Sequence, residues 1–414
     1  LPMRRSWIAL ALVFCCTASA FAVELTLKDA ADTVRLQLYG YIKADLTYDS
    51  QSTEPKNDAT FTFFVLPETA DGQKDGQTRL GARETRIGLN LFGPDVGDWK
   101  TTGKIEMDFY GAGGTANSYT PRIRLAYVDA AHSSGLAFRM GQDWDTFVEL
   151  APRIVNFAYL ADVGALGLRR PQARATQEIK LGENTKVVLK AAIAQTVGQD
   201  LDGGGFDDGS DADLPTAQWN IALHQQLWVE KKMARLAFSG HYGQETLDAV
   251  EKSATTNALG TVAETARVVD PDATDFESWS VQGSIFLPLL KCLAVQANIW
   301  QGANLDTYYG GIGQGVNMSL GQEIEAVGGY AQILYDPTEK VSIGLGYSVD
   351  DPDDEDLAGN KTLMCKNEMY LANVAYKFTA ALTGLAEYSR MTTDYLNTGD
   401  ATNDRIQLAM KYAF

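Results

Sequence analysis

The last ten residues, Arg405-Ile406-Gln407-Leu408-Ala409-Met410-Lys411-Tyr412-Ala413-Phe414, alternate without a slip. Successive side chains of a strand point to opposite faces. Ile406, Leu408, Met410, Tyr412 and Phe414 therefore share one face, and Arg405, Gln407, Ala409, Lys411 and Ala413 share the other. A segment of about ten residues spans a bilayer as a tilted strand. Apolar residues outward and polar residues inward is the pattern of a membrane barrel wall.

The same rule runs upstream. In residues 34–48, Leu36, Leu38, Ile42 and Leu46 oppose Arg35, Gln37, Lys43 and Asp45. Ile87, Leu89 and Leu91 oppose Arg86 and Asn90 in 82–92; Ile105, Met107 and Phe109 oppose Lys104, Glu106 and Asp108 in 100–110. Ile123, Leu125 and Tyr127 oppose Arg122 and Arg124 in 121–130. We read sixteen such runs up to residue 414. Seven tight connections, such as 182–184 and 230–232, alternate with eight long ones, about 49–81, 111–120, 144–170, 197–215, 246–276, 303–320, 350–366 and 392–403. This layout predicts an all-β, antiparallel up-and-down barrel over 34–414, with both termini periplasmic and the long loops extracellular. An even count lets the last strand pair with the first. Closure is needed because an open edge in lipid leaves amides unpaired at several kcal/mol each. Aromatics are expected to mark the bilayer interfaces: Phe92, Trp99, Trp228, Phe286, Tyr335, Phe378, Tyr412 and Phe414 at one end, and Tyr48, Trp219, Trp279, Trp300, Tyr347 and Tyr388 nearer the other.

The N-terminus agrees with export. Arg4 and Arg5, a short apolar run from Trp7 to Cys16, and the small residues Ala18, Ala20 and Ala22 read as a signal peptide over 3–22. Such a run is too short to cross a bilayer as a helix. Cleavage is expected after Ala22, with Ala20 the second choice, leaving 23–33 as a short periplasmic segment. The C-terminal Phe414, with Tyr412 two residues before it, is how bacterial outer-membrane proteins typically end. That likeness implies recognition by the barrel-insertion machinery and a place in the outer membrane of a Gram-negative bacterium. The net charge of −18 argues against nucleic-acid binding. Its acid is concentrated in loop stretches such as 200–213 and 350–356. The first of these reads as a solvated loop, with cation bridging to lipopolysaccharide phosphate as the alternative. Cys292 and Cys365, the two cysteines outside the signal peptide, fall at opposite barrel ends and predict no bridge.

Sixteen strands enclose a water-filled lumen. Inward positions supply Arg86, Arg122, Arg124, Arg139 and Arg174, and the third long loop (144–170) ends on Arg169 and Arg170. Glu84, Glu106, Asp108, Asp143 and Glu178 face them. Ladders of fixed charge select ions by sign; the alternative is a network that only braces the wall. The third loop carries Phe147, Leu150, Phe157, Leu160 and Leu166, too apolar to stand in water. Folded inward it would narrow the lumen and set Asp145, Glu149 and Asp162 against the arginines; the alternative is a loop covering a subunit contact. His132, His224 and His241 are expected to be structural, and no CxxC or HExxH occurs. No enzyme activity, cofactor or metal is expected. The leading reading is a diffusion channel for small hydrophilic solutes. The alternative class is a barrel enzyme or adhesin, which would show catalytic geometry at the rim or large loop domains.

Arg86-Ile87-Gly88, Asp108-Phe109-Tyr110-Gly111, Pro121-Arg122-Ile123-Arg124-Leu125-Ala126-Tyr127, Gly141-Gln142-Asp143-Trp144-Asp145-Thr146-Phe147 and Arg169-Arg170-Pro171-Gln172 together resemble DcaP-type porins. The resemblance covers about residues 80–180 and otherwise rests on the barrel pattern. It implies a trimer of sixteen-stranded barrels, an inward third loop and uptake of small organic anions such as dicarboxylates. DcaP-type proteins can carry a coiled-coil segment before the first strand; 23–33 is too short for one.

Overall fold

In the computed structural model the described residues are 23–28, 33–56, 58–67, 76–112, 118–198, 209, 212, 214–256, 262–358 and 363–414. The expected signal peptide lies outside them, as does most of the acidic stretch 200–213. One continuous antiparallel sheet holds eighteen segments. One is an N-terminal strand, Val23–Lys28, which lies in the stretch expected to be a short periplasmic segment and pairs with Thr33–Leu38. Two others are halves of a single broken strand, so the barrel wall has sixteen strands.

In chain order the wall is β1 (Thr33–Asp49), β2 (Gln77–Gly81 and Arg86–Phe92), β3 (Trp99–Asp108), β4 (Arg122–His132), β5 (Leu136–Trp144), β6 (Arg169–Lys180), β7 (Thr185–Ala194) and β8 (Thr216–Gln226). It continues with β9 (Met233–Thr256), β10 (Val262–Leu290), β11 (Leu293–Ala303), β12 (Glu325–Tyr335), β13 (Val341–Pro352), β14 (Met364–Lys377), β15 (Leu382–Tyr395) and β16 (Ala401–Ala413). We call the long connections L1 to L8. Each strand pairs with its sequence neighbours, and β16 closes on β1 from Tyr41↔Ala413 to Asp49↔Arg405. Phe414 completes the seam, its N–H donating to Gly40 O at 3.0 Å and its carbonyl accepting from Gly40 N at 3.1 Å. No strand of the wall is left with an open lateral edge at this seam, which is what a barrel in lipid requires.

The alternation of β16 is realised in space. Ile406, Leu408, Met410 and Tyr412 are 45–51% exposed on the outside, while Arg405 and Gln407 are buried inside at 1% and 0%. Trp228, Tyr335, Phe378, Tyr48 and Tyr388 are exposed as the aromatic girdle predicts, but Trp300 is not. It points inward and donates its indole N–H to Gly164 O at 2.9 Å, because L3 offers it a buried acceptor. A charge on the lipid face is costly near the midplane, so Leu408→Arg is expected to lower folding stability in lipid vesicles by about 2–4 kcal/mol; a urea titration that leaves the midpoint in place would contradict the outward assignment.

Two boundaries differ from the sequence reading. β2 begins earlier, at Gln77, and is broken at 82–85, where four residues face three on β1. The stretch 246–276 is mostly strand rather than loop, because β9 and β10 stay paired to Thr256↔Val262. Cys292 and Cys365 are unpaired.

Candidate functional site

The lumen is not an open tube. L3 crosses it as a belt, and a row of polar side chains on the wall holds the belt's backbone. Gln218 Oε1 of β8 accepts from Thr146 N at 2.6 Å, and Ser239 Oγ of β9 donates to Phe147 O at 2.8 Å. Gln296 of β11 donates to Ala151 O at 3.2 Å. Gln332 of β12 takes both the N–H and the C=O of Arg153, at 2.8 and 2.9 Å, and Glu387 of β15 accepts from Val155 N at 2.7 Å. These belt amides and carbonyls find partners as they leave water, so the apolar side chains beside them can be buried without orphaned backbone. Phe147, Leu150, Phe157, Leu160 and Leu166 are buried as expected from their composition. The belt therefore runs along β8 to β16, and the remaining passage lies against β2 to β6.

L1 and L6 also fold inward. Val65 of L1 joins Leu160 and Val163 of L3 and Met369, Met391 and Tyr395 of the wall in one cluster. Leu305 and Tyr308 of L6 join Phe147, Leu166 and Trp300 in another. The sequence reading missed both loops. The run Phe61-Thr62-Phe63-Phe64-Val65-Leu66 is as apolar as L3, and the same criterion applied to it finds L1.

Between these loops and β2–β6 lies a cavity of about 540 Å³. Among the described residues, Arg83, Arg86, Arg122, Arg124 and Arg169 line it, against a single acid, Glu149. Arg122 binds Asp108 through Nε at 3.1 Å and a terminal nitrogen at 2.9 Å, with its own side chain 34% exposed. Arg124 is buried, shared between Glu106 at 2.9 Å and Asp108 at 3.0 Å. Arg86 lies 3.5 Å from Glu106, and Arg83 is held by Asp58 at 2.8 Å. Asp108 and Glu106 sit behind the guanidinium groups and are themselves buried, so the surface they leave to the cavity is positive. Arg169 has no carboxylate within 4.0 Å among the described residues, and its guanidinium lies 4.8 Å over the Trp144 ring. The far wall is aromatic. Tyr110 stacks on Phe157 at 4.6 Å, with Arg83 and Arg122 over Tyr110 at 4.8 and 5.4 Å.

The other candidate residues separate from this group. Arg139 binds Asp129 at 2.5 Å and Asp143 at 2.5 Å, and Arg174 binds the same Asp143 oxygen at 3.0 Å. They form a second, paired cluster on β4 to β6. Arg170 and Asp145 do not face the passage, contrary to the sequence reading. They form a fully buried pair at 2.8 Å, because Tyr308 of L6 covers Arg170 with its ring at 3.9 Å. The stack continues through His241 at 3.9 Å to Phe147 at 5.3 Å. Glu149 borders the cavity but is bound by Lys190 at 3.1 Å and His224 at 3.2 Å, away from the arginines it was expected to oppose. Asp162 is buried against L6. Glu84 pairs with Lys43, and Glu178 with Lys186 at 2.7 Å. His241 is enclosed, 2.7 Å from Ser280 Oγ. Among the described residues no three His, Cys, Asp or Glu side chains converge as a metal cage.

Among solved structures, the outer-membrane channel DcaP of Acinetobacter baumannii superimposes with a TM-score of 0.70 at 20% identity, over 94% of this chain and 99% of that one. The chain has the DcaP-type porin fold. An anion-selective porin from Comamonas acidovorans matches with a TM-score of 0.55 at 13% identity, over 92% of this chain and 100% of the other. The trimer form of OmpT of Vibrio cholerae matches at 0.52 and 12% identity, over 92% and 99%. No protein-family profile matches the chain, and no curated protein does. The porin fold accounts for the periodic wall; the charge around the cavity belongs to this chain's own residues.

Proposed function

We propose that the chain is an outer-membrane porin that lets small hydrophilic solutes diffuse passively and favours small organic anions, dicarboxylates among them. The observation that carries this reading is the cavity wall, five arginines against one acid, with Arg169 lacking a carboxylate partner among the described residues. Low-dielectric walls focus such a field and concentrate counter-ions. A cavity of about 540 Å³ leaves room for a partly hydrated anion of a few carbons. The resemblance to DcaP-type porins supports the dicarboxylate choice, and the trimer form of one neighbour supports three-fold assembly. Phe414, already seated in the seam, is the natural mark for the barrel-insertion machinery, and lipopolysaccharide is the lipid its outer rim would meet.

Liposome swelling tests this. Vesicles carrying the protein are expected to swell faster in a four-carbon dicarboxylate than in a neutral sugar of similar size, with a rate linear in the gradient and no saturation. A faster sugar rate would defeat the anion preference, and a saturating rate would defeat passive diffusion.

A further inference from the structure

Three loops meet at one place in the lumen where, among the described residues, no basic side chain answers a pair of buried carboxyl groups. Tyr309, Gly311, Ile312 and Gly313 of L6 all have φ between +54° and +68°. For the β-branched Ile312 that conformation is an outlier, held because its side chain is buried. The turn aims consecutive amide N–H groups in one direction, a concavity suited to an anionic oxygen. Asp350 of β13 occupies it, accepting from Gly311 N at 3.2 Å and Ile312 N at 3.4 Å. The next amide, Gly313 N, turns back to Gly310 O at 3.3 Å, and the Asp162 carboxyl of L3 lies beside it. Asp162 also donates its own N–H to Tyr309 O at 2.9 Å, and Gly167 N donates to Tyr308 O at 2.9 Å. L6 is thus gripped between the wall and L3, and Tyr309, which lines the cavity beside Arg169, is carried by the gripped segment.

The described surroundings of Asp162 are acidic or neutral on every side. L6 presents Asp306 and the Tyr309 phenol, and β13 presents Asp350 with Asp351 beyond it. β14 contributes the neutral Asn367, whose amide donates to Asp162 O at 2.7 Å, and L1 contributes Phe63, stacked on Tyr309 at 5.4 Å. One oxygen, Asp162 Oδ1, is buried with no hydrogen bond. A buried charge with an empty lone pair is unfavourable, and a neutral carboxyl is tolerated. Burial, and then the nearby Asp306, push this carboxyl up to about 8 from its ordinary 3.8.

We propose that the junction of L3, L6 and β13 is a proton-operated latch on the channel: a protonated Asp162 keeps L6 seated with Tyr309 narrowing the passage, and loss of that proton releases L6 and widens it. The sign follows from linkage. The seated state binds a proton that the solvated state has lost, so seating is favoured at low pH and weakens as pH climbs from about 4 to about 8, with no further change above. The inference rests on the channel reading but not on its anion preference.

Single-channel conductance in 1 M KCl at pH 5 to 9 tests it. Wild-type conductance is expected to rise about twofold across that range as the released state gains population. Asp162→Asn, which keeps the size of the side chain without a titrating proton, is expected to stay at the low level throughout. Tyr309→Ala is expected to stay at the high level. Intact barrels are verified by gel mobility before and after heating. A flat wild-type profile, or an Asp162→Asn profile that follows wild type, overturns the latch and leaves the pore standing. Absence of conducting steps at every pH overturns both. The reversal potential in a salt gradient, read in the same recordings, reports the anion preference separately.

Discussion

Replacing Arg122 and Arg169 together by serine is expected to lower the anion-to-cation permeability ratio about tenfold. A charge roughly 6 Å from a permeating ion is worth about 0.7 kcal/mol at water-like dielectric, and physiological salt removes about half of that. Two charges act with opposite sign on anion and cation, so removing both shifts the difference by about 1.3 kcal/mol, close to a factor of ten. Both residues line the cavity; Arg122 is partly exposed and Arg169 lacks a competing carboxylate among the described residues. Arg124 is a different case. It is buried between two carboxylates, so its loss is expected to disturb the wall rather than to select among ions. Reversal potentials measured across a tenfold KCl gradient decide the matter: an unchanged value in the double variant would show that these arginines do not face the conducting path.

The second large effect lies outside the passage. Arg170→Ala leaves the fully buried Asp145 without its partner and removes the guanidinium stacked on Tyr308. Breaking a buried pair from one side costs about 3–5 kcal/mol, because the remaining charge keeps its desolvation penalty. Truncating Arg122 is expected to cost less, because its side chain is partly exposed and Asp108 keeps Arg124 at 3.0 Å. Urea unfolding in detergent micelles, monitored by tryptophan fluorescence, should separate the two variants clearly. Equal midpoints would mean that the Arg170–Asp145 pair, and with it the junction of L3 and L6, contributes nothing to stability.

These two arginines also show where sequence reasoning reaches and where it stops. Period-two alternation places Arg174 on the inward face, and Arg170, read as the end of L3, continues that face in the structure, buried at 1%. Whether an inward residue meets water depends on what else enters the lumen. Tyr308, which covers Arg170, lies on L6, and no local pattern connects the two. The wall itself was legible because lipid outside and water inside impose opposite demands on neighbouring residues, as in Ile406 against Gln407. That demand ends beyond the bilayer. The paired extension of β9 and β10 to Thr256 and Val262 lies in a stretch, 246–276, that reads as loop from the sequence. The belt of L3 was legible from its apolar content, and the row Gln218, Gln296, Gln332 and Glu387 that receives it explains why polar inward residues need not face solvent.

The central claim is that a closed wall surrounds a wet passage whose exposed charge is positive. The most direct test is the zero-current potential of the wild-type protein in a planar bilayer across a tenfold KCl gradient. A potential of the sign given by chloride permeating faster than potassium is the predicted result. A potential of the opposite sign, or a bilayer that shows no conductance at all, would contradict it.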